Sequence, residues 1–365
     1  MYMPVPVFSE SDAVLRHSKE IAVLGKKALI ITGKNSSRKN GALDDVITAL
    51  THQTTEFVIF DDIEENPSVE TVMKAKEFGL SNNVDFVIGI GGGSPMDAAK
   101  AIAFMLAHPL DNADLLYRIS DDNALPLALI PTTCGTGSEV TPISVLTRHE
   151  FKTKKSISHR IFADIALIDG KYLRYAPLSV LRNTALDALT HMIESYINAK
   201  ADDFSRIFVD QGLKLWRKNK DVLDTGNASD KQFQEMMNAS AMAGMAIAQD
   251  STGIPHGLSY SLTYKLHVPH GCAVGYFTAG YINEALKYPS SANSYGKHIL
   301  DSIGFGSVYE FSDWYKRIYD IAEVNDEILN EAVNELWKNK AKLQTAPFDV
   351  DLETLRRIAF FTKNH

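Results

Sequence analysis

Between Lys27 and about Asp169 the chain alternates short apolar runs, rich in Val and Ile, with stretches of helical periodicity. Five runs read as strands: ALIIT (28–32), EFVIF (56–60), DFVIGI (85–90), LALI (127–130) and IALID (165–169). Helices are predicted over 43–52, 69–78 and 95–107 between them. This alternation predicts a largely parallel sheet covered by helices. After about Leu181 the texture changes: ALDALTHMIESYI and FSDWYKRIYDIAEV carry helical periodicity, and β-branched runs bounded by turns almost vanish. The turn signal APLS (176–179) sets a soft boundary. The expectation is an α/β domain over 1–180 and an all-helical domain over 181–365.

Composition narrows the class. A chain of 365 residues, 45% apolar and 22% charged, has room for two domains and is not of disordered composition. A net charge of -8 gives no general attraction to a polyanion, and no basic patch stands out, so nucleic acid is not an expected partner. Cys134 and Cys272, the two cysteines, are too few for a disulfide framework and suit a reducing compartment, which predicts the cytoplasm. Charges interrupt MYMPVPVFSESDAVLRHSKE, and no window holds about 18 uninterrupted apolar residues, so neither secretion nor membrane insertion is expected.

The first candidate chemistry is the run Ile88-Gly89-Ile90-Gly91-Gly92-Gly93-Ser94-Pro95-Met96-Asp97. It follows a strand and opens a helix, so its backbone N–H groups can face an anion such as a pyrophosphate. Ser94 is expected as the N-cap, Pro95 as the first helical residue and Asp97 as the partner in a capping box. A tight strand-to-helix turn without a ligand is the alternative. The run follows the third predicted strand, whereas a standard dinucleotide fingerprint follows the first, which disfavours a standard Rossmann dehydrogenase. A second small-residue segment, Pro131 to Glu139, also follows a strand; it lines the same cofactor site or is a polar surface loop.

The second candidate is a set of possible metal ligands. Asp187 and His191 stand four residues apart on a predicted helix and share a face. His256 and His270 open two His-Gly pairs fourteen residues apart, and their rings can meet only through a turn near 267–269. Taken singly, each pair is equally compatible with ordinary hydrogen bonding. Taken together, one carboxylate and three imidazoles suit Fe(II) or Zn(II), and a cation there acidifies an alcohol or polarises an aldehyde carbonyl.

The motifs GGGSPMDAAK (91–100), PTTCGTGSEVT (131–141), DALTHMIESY (187–196) and the two His-Gly pairs, in that order, resemble the iron-containing (group III) alcohol dehydrogenase family across essentially the whole chain. The resemblance implies an α/β N-terminal dinucleotide-binding domain plus an all-helical C-terminal metal-binding domain, the dehydroquinate synthase-like architecture. It implies metal ligation by Asp187, His191, His256 and His270. Pyrophosphate binding falls to Gly91, Gly92, Gly93 and Ser94, with Asp97 at the same helix start. Further cofactor contacts fall to Asn66, Thr132, Thr133 and Thr136, and more loosely to Lys155. A small alcohol, diol or aldehyde substrate and a homodimer are also implied.

Two departures from the family pattern bear on chemistry. Many relatives carry a second histidine four residues after the third ligand, where this chain has Tyr260. A phenol, with a pKa near 10, is a poorer base at neutral pH but is kept as a candidate proton carrier. After the first predicted strand, Gly33 and Lys34 stand where NAD-using relatives often place a carboxylate, with Arg38 and Lys39 following. That favours NADP(H) over NAD(H), because a 2′-phosphate meets cations rather than an anion. Two other functions fit the architecture: a dehydroquinate synthase-like lyase using metal and dinucleotide, and a dinucleotide-binding sensor without catalysis.

Overall fold

A computed structural model describes residues 1–151, 153–319 and 324–365. One compact unit comprises residues 2–176 and 228–241; the other comprises Pro177–Asn227 and Met242–His365, with Met1.

The first unit is built on six strands, β1 (Val7–Ser9), β2 (Lys27–Thr32), β3 (Glu56–Phe60), β4 (Phe86–Gly91), β5 (Leu127–Pro131) and β8 (Ile165–Ile168). They form one sheet in the order β1-β8-β5-β4-β2-β3, every paired neighbour parallel. The five predicted strands lie within one residue of their expected ends. The additional β1, three residues long and pairing only with β8, is too short for periodicity to reveal. An antiparallel hairpin of β6 (Val145–Arg148) and β7 (Thr153–Ser156) was also not predicted, because TKKS has no apolar run.

Helices α1 (Ala42–His52), α2 (Val69–Ser81) and α3 (Gly93–Ala107) follow β2, β3 and β4. A core of Ala28, Ile30, Val46, Leu50, Phe86, Ile88, Ile130 and Leu167 lies on one side of the sheet. Helix α3 buries nearly its whole length, eleven of fifteen residues, as a helix wedged against the middle of a parallel sheet must. The chain leaves β2 for β3 on one side and returns to β4 on the other, so strand order reverses between β2 and β4. In open α/β sheets that reversal is where ligands bind, beyond the carboxyl ends of the strands.

In the second unit every described element is helical, and no helix among the described residues is long and apolar enough to cross a membrane. Helix α4 (Leu178–Tyr196) and helix α7 (His270–Lys287) pack closely, with α5 (Asp203–Asn219) and α6 (Ile254–Leu266) around them. The helix predicted within 311–324 is present as Val308–Ile318; residues 320–323 of that expectation lie outside the described ones. Glycines make the close approach possible: a Cβ on Gly271 would stand 1.9 Å from the Asn183 carbonyl oxygen. Farther along α7, a Cβ on Gly280 would stand 2.4 Å from the carbonyl oxygen of Ile358 in the C-terminal helix α8 (Leu352–Asn364).

Gly280→Ala separates two opposing effects. The helix propensity gain is at most about 1 kcal/mol, while overpacking against backbone costs about 1–3 kcal/mol. We expect a net loss of about 1–2 kcal/mol in denaturant unfolding; equal or greater stability would show that α7 and α8 yield at this contact.

Candidate metal centre and dinucleotide-binding turn

Asp187 and His191 lie one turn apart on α4, so their side chains leave the helix together. His256 lies in the first turn of α6, which ends at His267 in a left-handed conformation (φ 52°). Pro269 then directs the chain into α7, whose first residue is His270. The reversal at 267–269 therefore occurs, and it brings the His256 and His270 rings to 5.4 Å between centroids. His191 and His256 stack at 4.6 Å.

All three imidazoles converge on one carboxylate oxygen. Asp187 Oδ1 stands 3.6 Å from His256 Nε2, 3.8 Å from His270 Nε2 and 3.9 Å from His191 Nε2. These distances are too long for hydrogen bonds. Donor atoms held about 2.1 Å from one ion in a tetrahedron lie about 3.4 Å apart; Asp187, His256 and His270 each offer a ligand atom within 4.8 Å of the other two, and His191 reaches this group through its 3.9 Å approach to Asp187. Asp187 Oδ1 and His256 Nε2 are buried and have no hydrogen-bond partner, an arrangement that buried polar atoms rarely tolerate without an ion or water between them. The residues present fit a divalent cation. Asp187, His191 and His256 are buried, whereas the His270 side chain is 38% exposed, so the group opens towards solvent on that side.

Glu194, which the sequence reading passed over, orients the cluster. Its carboxylate accepts from the His256 backbone N–H at 3.0 Å, and the other oxygen makes a short contact with His256 Nδ1. With Nδ1 engaged, Nε2 is left facing Asp187. The signal was available: Asp187, His191 and Glu194 fall at i, i+4 and i+7 on one helix face. Burial alone would raise the Asp187 carboxyl, but the charges of His191, His256 and His270 hold it well below the usual carboxylate range. Burial works against the His256 imidazolium, yet Glu194 and Asp187 on either side raise it to about 9 in the metal-free chain.

Tyr260, one turn beyond His256, has half its surface exposed. The surrounding protein and then the Glu194 charge push the phenol up to about 12, so it stays protonated at neutral pH. Burial likewise raises Cys272 to about 12; its N–H donates to Asn183 Oδ1 and its carbonyl accepts from Tyr315. His267 is exposed.

In the other unit the glycine turn stands at the end of β4. Gly91 has φ 149°, which only glycine adopts without strain. The expected cap is corrected: α3 begins at Gly93 with Gly92 as its cap residue, and no side chain caps it. Ser94 instead accepts from the Asn66 N–H at 3.0 Å. Asp97 is no capping partner either, because Ser138 Oγ donates to one of its oxygens at 2.6 Å and the Val145 N–H to the other at 2.9 Å. Both oxygens of Asp97 are thus held within the protein, so it braces the turn.

The second small-residue segment does come to the same place. The Thr132 N–H donates to the Gly91 carbonyl at 2.8 Å. A Cβ on Gly92 would meet Thr133 Oγ1 at 3.1 Å, and one on Gly93 would meet Thr136 Cγ2 at 2.8 Å. Of the hairpin lysines, Lys154 rather than Lys155 reaches this group, donating to Asn66 Oδ1 at 2.6 Å. Successive strand residues face opposite ways, and Lys155 lies exposed, 5.6 Å from the Tyr117 ring centre. Gly33 and Lys34 follow β2, next to β4 in the sheet, with Lys34 paired to Asp62 at 2.7 Å and Arg38 to Asp61 at 2.8 Å.

Comparison with known proteins agrees with both halves of this description. Residues 4–170 match the family profile "Iron-containing alcohol dehydrogenase". Residues 182–325 match "Fe-containing alcohol dehydrogenase family, C-terminal". An NADPH-dependent butanol dehydrogenase of Clostridium saccharobutylicum is 30% identical over 88% of this chain and 79% of its own length. Long-chain-alcohol dehydrogenase 1 of Geobacillus thermodenitrificans is 34% identical over 69% of this chain and 65% of its own length. The crystal structure of an iron-containing alcohol dehydrogenase from Thermotoga maritima superposes with a TM-score of 0.91 at 33% identity, covering 100% of this chain and 99% of that one. The chain belongs to the iron-containing alcohol dehydrogenase family.

Proposed function

We propose that this protein is a metal-dependent alcohol dehydrogenase and aldehyde reductase that moves hydride between a nicotinamide dinucleotide and a small alcohol, diol or aldehyde. The observation that carries the reading is the meeting of three imidazoles on one buried carboxylate oxygen that has no hydrogen-bond partner. Asp187, His191, His256 and His270 would hold Fe(II), with Zn(II) compatible with the same donors. Such a cation supplies Lewis acidity, favouring loss of the alcohol proton and polarising the aldehyde carbonyl. Asp187 contributes the only negative charge among the four, and Glu194 fixes the ring of His256. Tyr260 can pass a hydrogen bond but, as a protonated phenol, does not serve as a base at neutral pH.

Gly91, Gly92, Gly93 and Ser94, with Thr132, Thr133 and Thr136, would bind the dinucleotide at the strand-order reversal, with Asn66 and Lys154 beside them. NADP(H) is favoured over NAD(H), in line with the cofactor named for the butanol dehydrogenase relative. Lys34 and Arg38 are paired with carboxylates, but exposed pairs of this kind are screened by water and contribute little. A phosphate dianion can therefore recruit both cations at little cost. A homodimer follows the family resemblance, and a cytoplasmic location follows the two free cysteines.

Turnover of a panel of short alcohols, diols and aldehydes, with each cofactor and with protein loaded separately with Fe(II) or Zn(II), tests the reaction. Net oxidation of NAD(P)H by an aldehyde is expected; a lyase would regenerate its cofactor, and a sensor would give no turnover. His256→Ala should lower kcat by roughly 10^3-fold, corresponding to several kcal/mol of lost Lewis acidity, and unchanged turnover would remove the metal assignment. In chelator competition, Glu194→Gln should weaken metal binding about 10–100-fold; undiminished affinity would show that Glu194 does not orient His256. Lys34→Ala combined with Arg38→Ala should raise KM for NADPH about tenfold while leaving KM for NADH within about twofold. A parallel rise for both cofactors would contradict the 2′-phosphate role.

A further inference from the structure

Beneath the glycine turn lies a lysine that the proposed chemistry does not use. Lys100, two turns into α3, is fully buried. Its ammonium donates to Ser138 Oγ at 2.7 Å, to the Ile143 carbonyl at 2.8 Å and to Thr141 Oγ1 at 3.3 Å. An ammonium enclosed in this way is costly unless it is fully hydrogen-bonded and charge-compensated. Here Asp97 Oδ1 lies 3.9 Å away and the carboxyl of Glu139 is buried nearby.

All three acceptors belong to one stretch of chain, 138–143, that has little regular structure of its own. Asp97 holds the same stretch from one turn earlier on α3: its side chain takes the Ser138 hydroxyl and the Val145 N–H, and its carbonyl takes the Ser144 hydroxyl at 2.7 Å. The stretch in turn positions groups at the glycine turn. Thr136, whose hydroxyl accepts from the Ser138 N–H at 3.2 Å, rests on Gly93. On its other side the stretch leads into β6, where Thr147 Oγ1 donates to the Asn66 carbonyl at 2.8 Å.

We propose that Lys100 is the positioning residue of the dinucleotide face: its ammonium clamps the 138–143 stretch onto α3 and thereby sets Thr136 and Asn66 around the glycine turn. Lys100 touches no cofactor itself; it acts through Ser138, Thr141 and the backbone. The proposal rests on the reading that this unit binds a dinucleotide, and it goes beyond that reading by assigning the control of affinity to a buried charge.

The test compares wild type, Lys100→Met and Ser138→Ala. Direct titration with NADPH, followed by cofactor fluorescence without substrate, is combined with amide hydrogen exchange over 136–147 and with steady-state kinetics. Lys100→Met should weaken NADPH binding at least tenfold and raise its KM in parallel, with kcat at saturating cofactor within about threefold of wild type and exchange faster in that stretch. Ser138→Ala, which removes one acceptor of Lys100 together with one donor to Asp97 and leaves both charged groups in place, should change affinity in the same direction by two- to fivefold, and it decides the matter if Lys100→Met does not fold. NADPH affinity equal to wild type in both variants would overturn the proposal even if exchange accelerated. Failure of wild type to bind NADPH or NADH would overturn the dinucleotide reading and this proposal with it, whereas normal wild-type binding with unaltered variants would overturn the proposal alone.

Discussion

A single buried carboxylate governs the helical unit. Asp187 is held away from water with an oxygen that no hydrogen bond satisfies, and an isolated ionised carboxylate in such a place is strongly disfavoured. Its compensation is the ring of imidazoles, each brought by a different local device: a helical repeat for His191, the opening turn of α6 for His256, and the reversal at 267–269 for His270. These devices work only if α7 approaches α4 closely. The absence of a side chain at Gly271, facing the Asn183 carbonyl, is therefore as much a condition of the site as the ligands are. Fold and chemistry meet in that contact.

The α/β unit reaches a similar end by different means. Its sheet reverses strand order between β2 and β4, and the two loops that carry the candidate phosphate and ribose contacts leave from those neighbouring strands. This explains why the glycine run follows β4 rather than the first strand. What the reversal does not provide is a fixed course for the long connection between β5 and β8. Buried polar groups supply it: Asp97 and Lys100 occupy successive turns of α3 and bind the returning chain at 138, 141, 143, 144 and 145. Polar networks of this type specify one arrangement rather than add much net stability.

Much of this could be read from the residues. Four of the five predicted strands were legible because strands buried on both faces appear as continuous apolar runs, the edge strand β3 because EFVIF is still an apolar run, and the ligand pairs because helical spacing fixes which side chains share a face. Besides Glu194, three things escaped. β1 and the β6–β7 hairpin were missed because short or polar edge strands have no periodic signature. The helix start was placed two residues late because Ser94, Pro95 and Asp97 satisfy the local capping rules, while the Ser94 and Asp97 side chains are engaged elsewhere by Asn66, Ser138 and Val145. Lys154 was passed over for its neighbour because strand register, which decides the face, depends on the partner strand. The helix start and the choice of lysine were each decided by a long-range contact overriding a local rule.

The remaining departure from the family pattern constrains the proton more than the hydride. With a phenol at position 260 held above its ordinary pKa, the chain offers no side chain at that place able to carry a proton as a charged acid near neutrality. A phenol can relay a proton only by giving up one hydrogen while accepting another, and that requires a second partner on its far side. Because half of Tyr260 is exposed, water is available to be that partner. A phenol at this position keeps one protonation state between pH 6 and 9. Any pH dependence of turnover in that range must then arise from groups other than residue 260.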